Sequence, residues 1–197
     1  MPEFFAVVDA QRACREFRSD PVPDELLERV LSAAVRAPSA ENLQPWVFLV
    51  LRDAARRAAV GDITRQLWER SARDFTKPRV STALFQDAER GAAGGIAAAP
   101  VLIVVCGDTS VCHEGALAAS IYPAAQNLVL AAGALGLGSV LTTLPTLGPL
   151  GSRLGLPETI RPMAVVPLGW PAHPLGRSGR LPMADKTHRE RYGAGWH

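Results

Sequence analysis

Two short stretches of this chain carry chemically versatile residues at close spacing. The run PSAENLQPW, Pro38 to Trp46, holds Ser39, Asn42 and Gln44, more hydrogen-bonding groups than a helix-to-strand turn needs. Upstream, RACREF, Arg12 to Phe17, sets Arg12 and Arg15 three positions apart. A guanidinium is a forked donor that stays charged, so two of them suit a phosphate, while the hydroxyl and amide groups suit the polar edge of a flat ring. Together they point to a planar, anionic cofactor. Each residue also has an ordinary role: a solvated arginine at a helix end, Arg36 on a helix surface, Ser39 and Asn42 capping a turn, Trp46 in a core. The weight lies in their occurring together.

The elements that must position these groups are legible from periodicity. Glu3 to Ala13 reads as a short helix running into the basic cluster, and Pro21 to Pro23 closes that segment. From Asp24, Leu26, Leu27, Val30, Leu31 and Ala34 recur at helical spacing, with Asp24 and Glu25 at the positive end of the helix dipole and Pro38 as the stop. WVFLVLR, Trp46 to Arg52, predicts a strand, as do PVLIVVC, Pro100 to Cys106, SVLTTL, Ser139 to Leu144, and MAVVPLG, Met163 to Gly169. A long helix, apolar nearly all round, is predicted from near Ser120 through YPAAQNLVLAAGALG, the pattern of a central helix covered on most sides, a second subunit included. Gly136 to Gly138 should close it through a left-handed cap. Asp53 to Arg90 is charged and irregular, with Trp68, Phe75 and Phe85 as core or as walls of a site. The whole of 1–197 reads as a single domain, with 170–197 as an extended arm suited to lying on a partner.

Composition excludes several classes. At 197 residues and 48% hydrophobic, with net charge +2, the chain can bury a real core and shows no basic stripe for nucleic acid. No stretch of about 18 uninterrupted apolar residues argues for a membrane, and the N-terminus lacks a basic region before an apolar one, so a cytoplasmic protein is expected. Cys14, Cys106 and Cys112 lack CxxC spacing and are read as reduced thiols in or near the core. His113, His173, His188 and His197 have no metal-ligand spacing, and no GxSxG elbow marks a nucleophile. GALGLG leaves a helix to enter a strand, the reverse of a dinucleotide fingerprint. No metal site and no acid or base side chain is expected; a cofactor would do the difficult chemistry.

RACREF, the helix from Asp24, APSAENLQPWVF, SIYPAAQNLVLAAGALGLGSVLTTL and VVPLGWPAHP, in that order and over most of the chain, resemble the FMN-dependent nitroreductase family. The resemblance implies an α+β fold, a central mostly antiparallel sheet flanked by helices, in an intertwined homodimer with flavins at the subunit interface. By position, Arg12, Ala13 and Arg15 fall where that family binds the phosphate and ribityl chain, and Arg180 where a late basic residue returns to the phosphate. Pro38, Ser39, Ala40 and Asn42 fall on the loop along the ring, with Arg36 just before it; Leu141, Thr142 and Thr143 match the segment approaching the ring from the other side or the other subunit.

The activity implied is ping-pong reduction of electron-poor acceptors, such as nitroaromatics or quinones, by FMN and NADH or NADPH. The family pattern is broken in two places. Many members read RRS where this chain has Gln11, Arg12 and Ala13, and the tail HRERYG departs from the commonest endings. A flavin-sequestering, non-catalytic member of the fold is the alternative those departures motivate, and a cofactor-free oligomeric scaffold is a third reading.

Overall fold

In the computed structural model, which describes residues 2–176 and 178–196, the apolar run after Pro100 becomes a strand buried on both faces. His197 lies outside the described residues. The order of elements is α1 (Phe4–Ala10), α2 (Asp24–Ala34), β1 (Trp46–Leu51), α3 (Ala54–Leu67), α4 (Arg73–Thr76), α5 (Thr82–Arg90), α6 (Ile96–Ala98), β2 (Val101–Asp108), α7 (Glu114–Ala134), β3 (Gly138–Ser139), α8 (Leu150–Leu154) and β4 (Ile160–Gly169). Among the described residues, four strands form one antiparallel sheet in the order β1-β2-β4-β3, so the α+β architecture expected from the sequence is the one adopted.

Strand alternation sets the layers. Val101, Ile103 and Val105 face α2 and α7, where they meet Leu27, Val30, Ile121 and Leu128. Their neighbours Leu102, Val104 and Cys106 face the opposite way, onto Val60 and Ile63 of α3 and Leu150 and Leu154 of α8. A strand covered on both sides has no solvent face to keep polar, which is why its sequence is apolar without alternation. Each fully buried Val, Leu or Ile contributes about 1.5–3 kcal/mol.

Helix ends follow local chemistry. Asp53 caps α3 by accepting from the Arg56 amide at 2.9 Å, and Ser81 caps α5 through the Leu84 amide at 3.3 Å. α7 closes as expected: Gly136 has φ 78°, its amide donates to Gly133, and the Leu137 amide reaches back to Ala132 at 2.9 Å.

The structure corrects several boundaries. α7 starts at Glu114, not near Ser120, because the His113 imidazole accepts from the Gly115 amide at 3.1 Å and serves as its cap. α1 stops at Ala10, because the residues after it are drawn into extended pairing. The strand expected over 139–144 shortens to Gly138–Ser139 plus one bridge from Thr142 to Val165. β4 begins at Ile160, with Pro162 tolerated where the register against β2 slips between Val105 and Cys106. The charged middle is largely helical: α3 to α5, with π-helical turns at Trp68–Ala72 and Gly91–Gly95. All three cysteines are buried and unbonded.

Candidate functional site

The basic stretch does not continue α1; it runs as a ribbon along the outer edge of the sheet. Ala13 bridges Ser139, the Cys14 amide donates to the Ser139 carbonyl at 2.9 Å, and Phe17 bridges Pro171. The Arg18 amide donates to Trp170, and the Ala172 amide to Glu16. Room for this docking comes from Gly138, where a Cβ would lie 2.5 Å from the Cys14 sulfur. Burial pushes the Cys14 thiol pKa up, so this sulfur is held protonated and serves as packing.

Beside the ribbon opens a cleft of about 700 Å³ whose walls include Arg12, Ala13, Arg15, Asp87, Leu141 and Arg180. Five of these were singled out from the sequence, and they come from three distant stretches of chain. The Arg12 guanidinium donates to the Gly176 carbonyl at 3.2 Å, which ties it to the tail. Arg15 pairs with Asp87, Asp87 lies 3.5 Å from Arg90, and Arg90 bonds Glu16 at 2.8 Å. Arg180 is exposed at the rim. A second, more apolar cavity of about 660 Å³ lies between α1, the C-terminal end of α7 and Trp170–Leu175, with Arg12 on its wall.

The loop 38–44 is elsewhere. Its Ala40 amide donates to the Ser120 hydroxyl at 3.0 Å near the start of α7, and Pro45 accepts from Asp108 at the far end of β2. Asp108 pairs with Ile160, whereas Gly169, nine residues along β4, pairs with Gly138 beside the basic ribbon. At a strand rise of about 3.4 Å, the two ends stand about 30 Å apart. Arg36, Pro38 and Asn42 are exposed there, with Ser39 and Ala40 half-buried.

The backbone of this loop is unusual. Glu41, Asn42 and Gln44 have φ of 51°, 57° and 52°, a left-handed region that non-glycine residues seldom occupy and that clusters at ligand sites. The conformation is held by the Ser39 hydroxyl, which accepts from the Gln44 amide at 3.0 Å, and by the Leu43 amide donating to Ala40. Ser39 thus spends an acceptor lone pair on the loop, and a hydroxyl that accepts in this way can still donate.

Thr142 and Thr143 follow Leu141 but do not line the cleft; Thr142 accepts from the Leu144 amide, and the Thr143 carbonyl holds Thr146. Trp68 and Phe85 stack in a buried cluster with ring centroids 5.8 Å apart, and Phe75 lies on the surface under Arg79. Asp87, Ser120, Gly91 and Gly95 carry site geometry that sequence reasoning missed. A helix aspartate, a buried serine and two glycines in GAAGG give no signal until their neighbours are known.

The cleft can hold an anion. Arg12, Arg15, Arg90 and Arg180 set four guanidinium groups against two carboxylates, Asp87 and Glu16, an excess of two positive charges. That excess matches a phosphomonoester, near two negative charges at neutral pH, and the apolar walls at Leu84, Val140 and Leu141 give a ring system somewhere to lie. The residues present thus fit a flavin mononucleotide.

The family model described as "Nitroreductase family" matches residues 8–170. The chain belongs to that family. A protein provisionally named NADH dehydrogenase/NAD(P)H nitroreductase from Methanothermobacter thermautotrophicus is 31% identical over 193 residues, covering 94% of this chain and 85% of its own length. A 5,6-dimethylbenzimidazole synthase from Rhodospirillum rubrum is 30% identical over 201 residues, covering 91% and 90%. Among solved structures, a provisionally named nitroreductase in complex with FMN from Desulfovibrio desulfuricans superposes with a TM-score of 0.77 at 26% identity, covering 98% of this chain and 99% of that one.

Proposed function

We propose that the chain is an FMN-dependent oxidoreductase. When bound, the flavin would accept electrons from NADH or NADPH and pass them, in ping-pong order, to electron-poor acceptors such as nitroaromatics or quinones. The observation that carries this reading is the convergence of Arg12, Arg15, Arg180 and Leu141 on one cleft beside the sheet edge.

In this reading the guanidinium groups grip the phosphate and Leu141 borders the ring. Gln11, at a position where many family members carry arginine, offers an amide in place of a charge, while Arg90 adds a guanidinium, paired with Glu16, to the same cleft wall. The loop from Pro38 to Asn42 supplies hydroxyl and amide groups to a ring edge, but at about 30 Å it does not reach the cleft of its own chain. A second copy bringing its loop to the first copy's cleft resolves the separation, which supports a homodimer. The Pro- and Gly-rich arm over 170–197 keeps Leu181, Met183 and Trp196 substantially exposed, apolar groups suited to lying on that copy.

The test is spectroscopic. Protein purified with excess FMN and then gel-filtered should carry the flavin's visible band, bleach under anaerobic NADH or NADPH, and recover colour on addition of a nitroaromatic or a quinone. Flavin that stays bound but is not bleached by either nicotinamide would instead favour the sequestering role raised by Gln11 and Ala13.

A further inference from the structure

We propose that Asp87, seated by the glycine turn after α5, is a positioning residue that aims Arg15 into the cofactor cleft; this deepens, and rests on, the flavin reading. The Arg15 side chain lies along Gly91: a Cβ there would stand 2.8 Å from Arg15 Cδ and 3.4 Å from its Cγ. A Cβ at Gly95 would stand 2.3 Å from the Arg15 carbonyl oxygen, so both backbone and side chain of Arg15 occupy space that only glycines leave free. Within this turn Gly94 has φ 151°, a conformation that suits glycine. The turn therefore forms a trough, with Asp87 closing its end.

Asp87 contacts Arg15 through one oxygen, to Nη1. A guanidinium has five N–H donors in a rigid fork, so one fixed contact orients the others without using them up. The two side chains are 18% and 22% exposed, against 54% and 42% for the neighbouring Arg90–Glu16 pair. The inner pair is shielded enough for its geometry to be held, whereas the outer one is screened by water. Asp87 and Arg15 both line the same cleft as Arg12 and Arg180, so the held fork faces the volume where an anionic ligand would lie. The middle segment, chemically opaque in the sequence, thus ends in a device that sets the cofactor site.

The test titrates FMN into the flavin-depleted full chain and reads Kd by fluorescence quenching. Asp87→Ala should weaken FMN by about tenfold, the scale of one misplaced charge-assisted hydrogen bond, and Asp87→Asn, which keeps an acceptor oxygen, should weaken it less. In an Arg15→Ala background, Asp87→Ala should weaken FMN much less, because its contact with Arg15 is gone and only its longer pairing with Arg90, at 3.5 Å, remains. Gly91→Ala, which displaces Arg15 Cδ without changing any charge, should behave in the same way and serves if Asp87→Ala does not fold. Equal weakening in both backgrounds would assign Asp87 a merely structural part and overturn the proposal, as would unchanged or tighter binding by Asp87→Ala. A folded wild-type chain that stays colourless with excess FMN would overturn the flavin reading itself, an outcome separate from any variant's behaviour.

Discussion

Gly138→Ala tests whether the basic ribbon depends on its seat at the sheet edge. The added methyl would stand 2.5 Å from the Cys14 sulfur, 2.8 Å from Cys14 Cβ and 3.1 Å from Pro171 Cγ. Carbon atoms rest at about 3.5–4.0 Å. The sulfur could turn aside, but Cβ is fixed to the backbone, so Cys14 itself must retreat by about 0.7 Å or more to regain ordinary contact. Its amide bond to Ser139, now 2.9 Å, would then stretch beyond useful hydrogen-bonding range. Overpacking of this kind costs about 1–3 kcal/mol and a lost amide bond about 0.5–1.5, so a total of about 1.5–4.5 kcal/mol is expected. For a chain of this length that lowers Tm by roughly 3–18 °C, while the protein stays folded at 25 °C. Scanning calorimetry gives the shift, and FMN titration should show weaker binding, since Arg15 adjoins the displaced residue and Arg12 lies two positions before it. Combining Gly138→Ala with Cys14→Ala removes the 2.5 Å contact but not the 2.8 Å one, and should restore part of both losses. A Tm within 2 °C of wild type, with flavin affinity unchanged, would refute the seat as described (a threshold set by the roughly 2–4 °C expected per kcal/mol).

Arg12→Ala should leave the fold intact and raise the FMN Kd by about 10- to 100-fold, the value of one hydrogen bond to a charged group; equal flavin occupancy after gel filtration would remove Arg12 from the phosphate set. Asn42→Ala should shift the flavin midpoint potential more than its retention, which redox titration with a reference dye resolves; an unmoved potential counts against the ring-edge role of the loop. Burial pushes the Cys106 thiol up to about 12 from its ordinary 9.0. A folded-state pKa raised this way keeps its contribution below pH 9 and loses it as the pH climbs toward about 12, since only the unfolded chain releases the proton in that window. Stability should therefore fall by up to about 1.4 kcal/mol per pH unit from this group, and Cys106→Ala, though destabilised by its cavity, should show a flatter alkaline slope in urea melts.

Much of the architecture could be read from the chain because local patterns and tertiary demands agree there. The apolar residues of α2, the β-branched β1 and β2 runs and the Gly136 cap each point to one structure at every level. Where the patterns failed, a distant contact had overridden them. α1 could have continued through Ala13, but pairing with Ser139 and Pro171 pulls the chain straight. Val140 has a strand-forming, β-branched side chain, yet it and Leu141 leave the sheet to wall the cleft. The arginines were legible as a group because charge and spacing survive in one dimension. Asp87 was not, because its meaning depends on a trough that exists only once Gly91 and Gly95 meet Arg15.

The placement of the two half-sites carries a consequence for assembly. Ser120 and Pro45 fix the loop at one end of a rigid sheet, while Ser139 and Pro171 fix the arginine ribbon at the other. Bending within one chain cannot close that gap, since β2 and β4 between them are paired along their length apart from one slip in register, with β2 and the second half of β4 buried. Under the proposed function, a two-fold pair brings loop to cleft twice, because an isologous contact made by one copy is returned by the other. Cofactor stoichiometry is then one per chain, and each flavin touches both copies. A ligand that binds only the paired state stabilises it by mass action, so flavin loss and subunit separation must be linked. Sedimentation of Arg12→Ala should accordingly show a dimer that dissociates at higher protein concentration than wild type when both are held at the same FMN concentration. Identical dimer affinities, with FMN still bound less tightly, would place the whole cofactor inside one chain.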